Sequence, residues 1–265
     1  MSTSITRTHT IACPYCGHEQ AVELYDSIRA DQDPAARAAL LQGRVNRVTC
    51  AACGKTFRID KPLVYQDREA GLFLQYDPLV NGRTLAEAET ALAAAQKQLA
   101  ALLPDGLRPP EMFLVVEWPE LIERIFTDEE GLDARLVEHI KYIMYQQNPA
   151  KLPALSKTLL FDAQDSTDEQ LCFVVQDRAT RKLEAVLNFA RKDYEALINI
   201  FDSGPQLALL HDEFPGPYLN ARLKFLADQA DAPASAGESP VREGNASAGP
   251  SAPPPPPPPP ETSAP

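Results

Sequence analysis

Basic charge is scarce over most of this chain. Residues 61–230 carry 17 Lys and Arg against 27 Asp and Glu, and the full 265 residues carry a net charge of −12 at pH 7. A body of that sign repels phosphate backbones and anionic lipid, which disfavours non-specific nucleic-acid binding. Residues 1–60 are near neutral, with a net charge of +1, and have no basic stripe. Long apolar runs are also missing. No stretch of 18 or more apolar residues occurs, so no transmembrane helix is expected and no membrane partner. Met1–Thr10 is polar and has no apolar segment of the kind a secretory signal needs, so a cytoplasmic location is expected. G-x-S-x-G, H-E-x-x-H and P-loop patterns are absent. Cysteine is sparse and odd in number. Four of the five stand at metal-ligand spacing and Cys172 stands alone, a pattern that suits a reducing compartment better than a disulfide framework.

What is present falls into three zones. Residues 8–78 form a cysteine-bracketed unit, residues 84–228 mix helical and strand patterns, and residues 231–265 are rich in Ala, Pro and Ser, with eight consecutive prolines from Pro253 to Pro260. The expected class is α+β: a zinc ribbon-like module with an inserted helix, then a mixed helix and strand domain, then a disordered tail. The tail has too few large apolar residues to offset its ordering entropy. Its proline run favours polyproline II, either as a semi-rigid spacer or as a ligand for an aromatic-lined groove.

In the first zone, Thr8–Ile11 and Gln20–Tyr25 read as strands around one cysteine pair. Asp33 caps a helix opened by Pro34 and closed by Gly43. Arg44–Thr49 and Thr56–Asp60 read as strands around the second pair, and a hairpin turns at Arg68–Gly71. The module's own core, Val22, Leu24, Val48, Phe57 and Ile59, is thin for independent folding.

In the second zone, Thr84 and Glu87 form a capping box. Leu85, Ala88, Leu92, Ala95, Leu99 and Leu102 then follow at helical spacing. Met112–Val116 reads as a buried strand, Pro119–Phe126 as a short helix with Trp118 packing its start, and Asp133 as the cap of another helix. Thr158–Phe161, Leu171–Val175 and Leu183–Phe189 read as strands. Asp193–Phe201 and Pro217–Ala227 read as helices. Glu117, Glu120, Glu123 and Asp128-Glu129-Glu130 have no histidine beside them and read as a solvated acidic surface.

The chemistry is concentrated in Cys13-Pro14-Tyr15-Cys16-Gly17 and Cys50-Ala51-Ala52-Cys53-Gly54. A two-residue gap lets both sulfurs of one turn face a single ion. The glycine that follows permits a positive φ, which turns backbone amides toward the thiolates. Two such turns supply Cys13, Cys16, Cys50 and Cys53 to a tetrahedral structural zinc, and metal binding then contributes about 10 kcal/mol or more to folding. Iron uses the same ligand set. Cys13-Pro14-Tyr15-Cys16 is also the active-site tetrapeptide of glutaredoxins, which makes a thiol–disulfide oxidoreductase the alternative. That chemistry needs the first cysteine at a helix N-terminus, whereas a strand pattern follows here. Haem attachment is excluded because His18 does not directly follow the second cysteine. His9 and His18 read as exposed bystanders and Cys172 as a small core residue.

Cys13 to Gln20, Glu23 to Ile28, Val48 to Phe57 and Pro62 to Asp67 together resemble the CpXC domain, a bacterial and archaeal family. The resemblance extends over residues 8–145, with Leu121–Ile125 and Gly131–Arg135 matching the family's later half. Ala51 stands where the family's name puts proline, and the ligands are unaffected. The resemblance implies a zinc-binding domain and brings no reaction with it. The leading reading is therefore a non-enzymatic binding or scaffold protein, with a protein partner. The alternatives are the oxidoreductase and a nucleic-acid reader using Arg44, Arg47, Lys55 and Arg58.

Overall fold

The computed structural model describes residues 4–104, 106–107 and 109–231. Its first strands follow the cysteine turns. β1 (Ile5–Ala12) and β2 (Glu19–Arg29) pair antiparallel on either side of the first turn, with Ala12 opposite Glu19. α1 (Pro34–Leu41) follows, capped by Asp33, whose carboxylate accepts the Ala36 N–H at 3.0 Å. β3 (Arg47–Thr49) and β4 (Thr56–Arg58) form a second, shorter hairpin around the second turn. Then come β5 (Leu63–Asp67) and β6 (Leu72–Tyr76).

The second half opens with α2 (Leu85–Leu102), which has the complete Thr84–Glu87 capping box. After it come β7 (Met112–Val115), α3 (Trp118–Glu129) and α4 (Ala134–Gln147), then β8 (Lys157–Asp162), β9 (Gln170–Asp177) and β10 (Leu183–Ala190), and finally α5 (Arg191–Phe201), α6 (Gly204–Glu213) and α7 (Ala221–Asp231). The class is α+β. No helix among the described residues is long and apolar enough to cross a membrane. The expected disordered tail lies outside the described residues from 232 onward.

One sheet runs in the order β1-β2-β5-β6-β7, with β2–β5 and β6–β7 parallel and the other pairs antiparallel. β7 belongs to the second zone, so this sheet crosses the boundary drawn between residues 78 and 84. The module's apolar centre is Ile28, Leu40, Leu63, Tyr65 and Leu74, joined by Leu121 and Ile125 of α3. Of the five residues expected there, Leu24 and Val48 are buried, while Val22, Phe57 and Ile59 are half-buried. A second core forms where α4 and the β10-β9-β8 sheet meet, around Ile140, Tyr145, Phe161, Leu171 and Phe173.

Several expectations need correction. The last helix begins at Ala221 rather than Pro217, capped by Asn220, which accepts the Leu223 N–H at 2.9 Å. α6 was not anticipated; Pro205 sits in its first turn, where proline costs no hydrogen bond.

A further correction concerns the acidic residues: Glu129 and Glu130 are exposed as expected, but Glu123 is buried and Glu117, Glu120 and Asp128 are half-buried, so they are not one solvated face. Glu123 is 9% exposed and binds Lys141 Nζ at 2.9 Å; Lys141, 6% exposed, also binds Glu138 at 2.7 Å. Glu123 further accepts the Phe161 N–H, and Glu138 accepts the Ala221 N–H at the start of α7. Glu120 accepts from Tyr218 Oη, Asn220 Nδ2 and the Val116 and Glu117 amides. These carboxylates therefore tie α3 and α4 to β8 and α7. Burial pushes the Glu120 and Glu123 carboxyls above the usual range. Trp118 packs as expected, edge-on to Tyr76 at 5.5 Å and beneath the Arg58 guanidinium.

Candidate metal centre

The two cysteine turns are built alike. In the first, the Gly17 N–H donates to the Cys13 carbonyl and the Cys13 N–H to the His18 carbonyl, each at 2.9 Å. In the second, Gly54 donates to Cys50 and Cys50 to Lys55 carbonyls, again at 2.9 Å. Gly17 and Gly54 hold φ of 72° and 69°, the left-handed conformation that a side chain would strain. Each turn closes a hairpin, β1–β2 or β3–β4, and the two hairpin tips face one another.

At that junction the Sγ atoms of Cys13, Cys16, Cys50 and Cys53 all lie within 4.8 Å of one another. The Cys13–Cys53 and Cys16–Cys50 separations are both 3.7 Å. A tetrahedron with metal–sulfur bonds of ~2.3 Å has edges of ~3.8 Å, so the cluster is positioned to hold a metal ion. Cys13 and Cys50 are 3% and 1% exposed, while Cys16 and Cys53 face solvent.

The thiols are not equivalent. Cys50 is lowered to about 6, chiefly by the backbone N–H of Cys53 and then that of Ala52, against the opposing effect of burial. Cys16 is raised to about 12. The His18 amide lowers it, but desolvation and the bonds shared with the other three sulfurs outweigh that amide. The Tyr15 N–H donates to Cys13 Sγ at 3.4 Å. Amides aimed at sulfur stabilise thiolate, the form a metal needs.

Residues that the sequence did not single out hold the two hairpins together. Gln20 on β2 accepts the Ala51 N–H at 2.8 Å and donates to the Thr49 carbonyl at 3.2 Å, clamping one turn to the other. Asn46, at φ 54°, accepts the Tyr25 N–H at 2.7 Å and donates to the Tyr25 carbonyl at 3.2 Å. It also accepts the Ile59 N–H on its own carbonyl, so it joins both arms of the second hairpin to β2. Asparagine tolerates the left-handed region and carries both a donor and an acceptor, which was the available signal. Tyr15 meets Phe57 edge-on at 6.2 Å, and Lys55 Nζ stands 4.6 Å from its ring centre.

The other candidates lie apart from the cluster. His18 is exposed. His9 is half-buried rather than exposed, beside Asp26 and Lys61. Cys172 is buried in β9 and its thiol is pushed up by burial. Arg44 and Arg47 are exposed, whereas Arg58 binds Asp60 at 2.9 Å and covers Trp118. Cys13 lies between β1 and β2 and not at a helix N-terminus, so the dipole that activates a glutaredoxin-type thiol is missing there.

None of the curated proteins and none of the solved structures compared with it matches this chain. A family model described as CpXC protein does match, over residues 11–141, a stretch that takes in all four clustered cysteines, and that stretch is recognised as a CpXC domain.

Proposed function

We propose that Cys13, Cys16, Cys50 and Cys53 hold one structural zinc ion in a zinc ribbon-like module, and that the protein is a non-enzymatic binding or scaffold protein. The observation that carries this is the convergence of four sulfurs, all within 4.8 Å of one another, from two matching turns. Four protein ligands fill the coordination of a tetrahedral zinc and leave no position for a substrate, so the ion's work is to fasten hairpins. The thiolate set also suits a reducing, cytoplasmic setting, where it stays available to metal.

Elemental mass spectrometry of the purified full chain, beside Cys50→Ser, tests the reading. One zinc per chain, lost in the variant, is the expected result. Iron in place of zinc would replace the metal assignment. A metal-free folded protein with a reducible Cys13–Cys16 disulfide would sink the proposal and put thiol–disulfide exchange first.

A further inference from the structure

Between the β5–β6 hairpin and the end of α2 lies a cleft of about 680 Å³. Small-molecule sites commonly measure ~300–1,000 Å³. Strand register sets its floor. Gln66 on β5 stands opposite Phe73 on β6, and Phe73 beside Met112 on β7, so one row of side chains crosses three strands. Leu99 and the cap residue Leu103, at the end of α2, form a wall, and Pro110 adds to the rim. Phe73, Leu99 and Leu103 are only half-buried. Phe73 and Leu99 pack on the cluster around Met112 and leave their remaining surface to the cleft.

Three polar residues stand at the hairpin end of the cleft: Gln66, Asp67 and Arg68. Asp67 is already engaged. Its Oδ1 accepts the Glu69 and Ala70 amides at 3.1 and 3.2 Å. Alternation along β5 puts it with Leu63 and Tyr65, opposite Leu72, on the sheet face that α3 covers. Its charge is felt on that side: the Asp128 carboxyl of α3 is pushed up by burial first and by Asp67 next. Gln66 falls on the other face, with Phe73. The Gln66 amide and the Arg68 guanidinium have no hydrogen bond or ion pair among the described residues. A ligand therefore meets a cation and an amide donor at one end of an apolar trough. A guanidinium so placed selects a carboxylate, which it grips with two parallel N–H bonds. An ammonium ligand would be repelled by Arg68, and a wholly apolar one would leave both donors unused.

We propose that this cleft binds an amphipathic monocarboxylate, a free fatty acid of medium chain length. The chain lies over Phe73 and Met112 beside Leu99 and Leu103, and the carboxylate meets Arg68 and the Gln66 amide. None of these residues belongs to the cysteine turns, so the site is independent of the metal.

Isothermal titration calorimetry of the full chain with decanoate, at neutral pH and below its micelle-forming concentration, reads the site. Decanoate is expected to saturate at one per chain. Decanol keeps the chain and lacks the charge, and is expected to bind about tenfold more weakly. Arg68→Gln should lower decanoate affinity by about tenfold and leave decanol unchanged, which separates loss of the head-group contact from loss of the fold. Leu103→Asp, in the half-buried wall, should weaken both ligands with an unchanged circular dichroism spectrum. Lys97→Gln removes an exposed cation of α2 that does not line the cleft, and binds decanoate like the wild type. Absence of saturable decanoate binding overturns the proposal. So does decanol or decylammonium binding as tightly as decanoate, Arg68→Gln binding decanoate like the wild type, or Lys97→Gln weakening it as much as Arg68→Gln.

Discussion

At the scale of single residues, the cysteine cluster depends on side chains that touch no metal. Gln20 receives the amide of Ala51, the residue next to Cys50, so it orients a ligand from behind. Partners of this kind typically govern metal affinity by ~10-fold or more. Gln20→Ala is expected to weaken metal binding by about tenfold without removing a sulfur, measured by competition against a chromogenic chelator. Asn46 does a different job. Asn46→Ala strips two hydrogen bonds from the Tyr25 backbone and leaves alanine at a positive φ. The expected cost is about 1–3 kcal/mol in urea unfolding. If the variant were neutral, the second hairpin would be held by its other ties, the Gln20 clamp among them, without need of Asn46.

Among the elements, α3 and α4 are joined by buried charge. Lys141 bridges Glu123 and Glu138, one cation shared by two carboxylates. Lys141→Met leaves two carboxylates without their cation and should cost about 3–5 kcal/mol near neutral pH. The sign of its pH dependence follows from Glu123, whose carboxyl burial already raises. A raised folded value means that the native state binds more protons than the unfolded chain, so stability falls as pH rises through that window. Removing the Lys141 cation raises the value further. The variant's deficit should therefore shrink as pH is lowered toward the ordinary carboxylate range near ~4, read from urea midpoints across a pH series.

This cluster also marks where sequence reading stopped. The cysteine turns, the Asp33 cap, the Thr84–Glu87 box and the strands around them are decided by residues within a few positions of each other. The turns and caps stand where the spacing put them, while the strands around the second pair are shorter than expected, Arg47–Thr49 and Thr56–Arg58, because Asn46 turns the chain before the first of them. Glu120 and Glu123 look like the polar side of a short helix because what covers them is far away in sequence. Lys141 is 18 residues on, Phe161 is 38, Tyr218 is 98 and Asn220 is 100. Gln20 and Asn46 escaped for the same reason: each acts across 21 to 31 residues, so nothing near it in the sequence shows its partner.

At the scale of the whole molecule, the first cysteine hairpin is the outer edge of a five-stranded sheet whose core lies farther in, and the second hairpin is a separate two-stranded piece. The N-terminal part of β2 pairs only with β1, while Ser27–Arg29 pairs with β5, above Ile28, Leu63 and Tyr65. Removing the metal should therefore loosen residues 8–25 and 45–59 and spare β5 to β7, a local opening rather than global unfolding. Hydrogen exchange with and without chelator checks this, and equal loss of protection in β6 and β7 would show one cooperative unit instead. The uneven burial of the four sulfurs adds a direction to that opening. Cys13 and Cys50 face inward and Cys16 and Cys53 outward, so the centre has a front door and a hinge side. An ion leaving or arriving would cross the outward pair, with the inward pair letting go last. Traffic in metal would then run through one face of the protein, and a competing chelator or an alkylating reagent would meet Cys16 and Cys53 first.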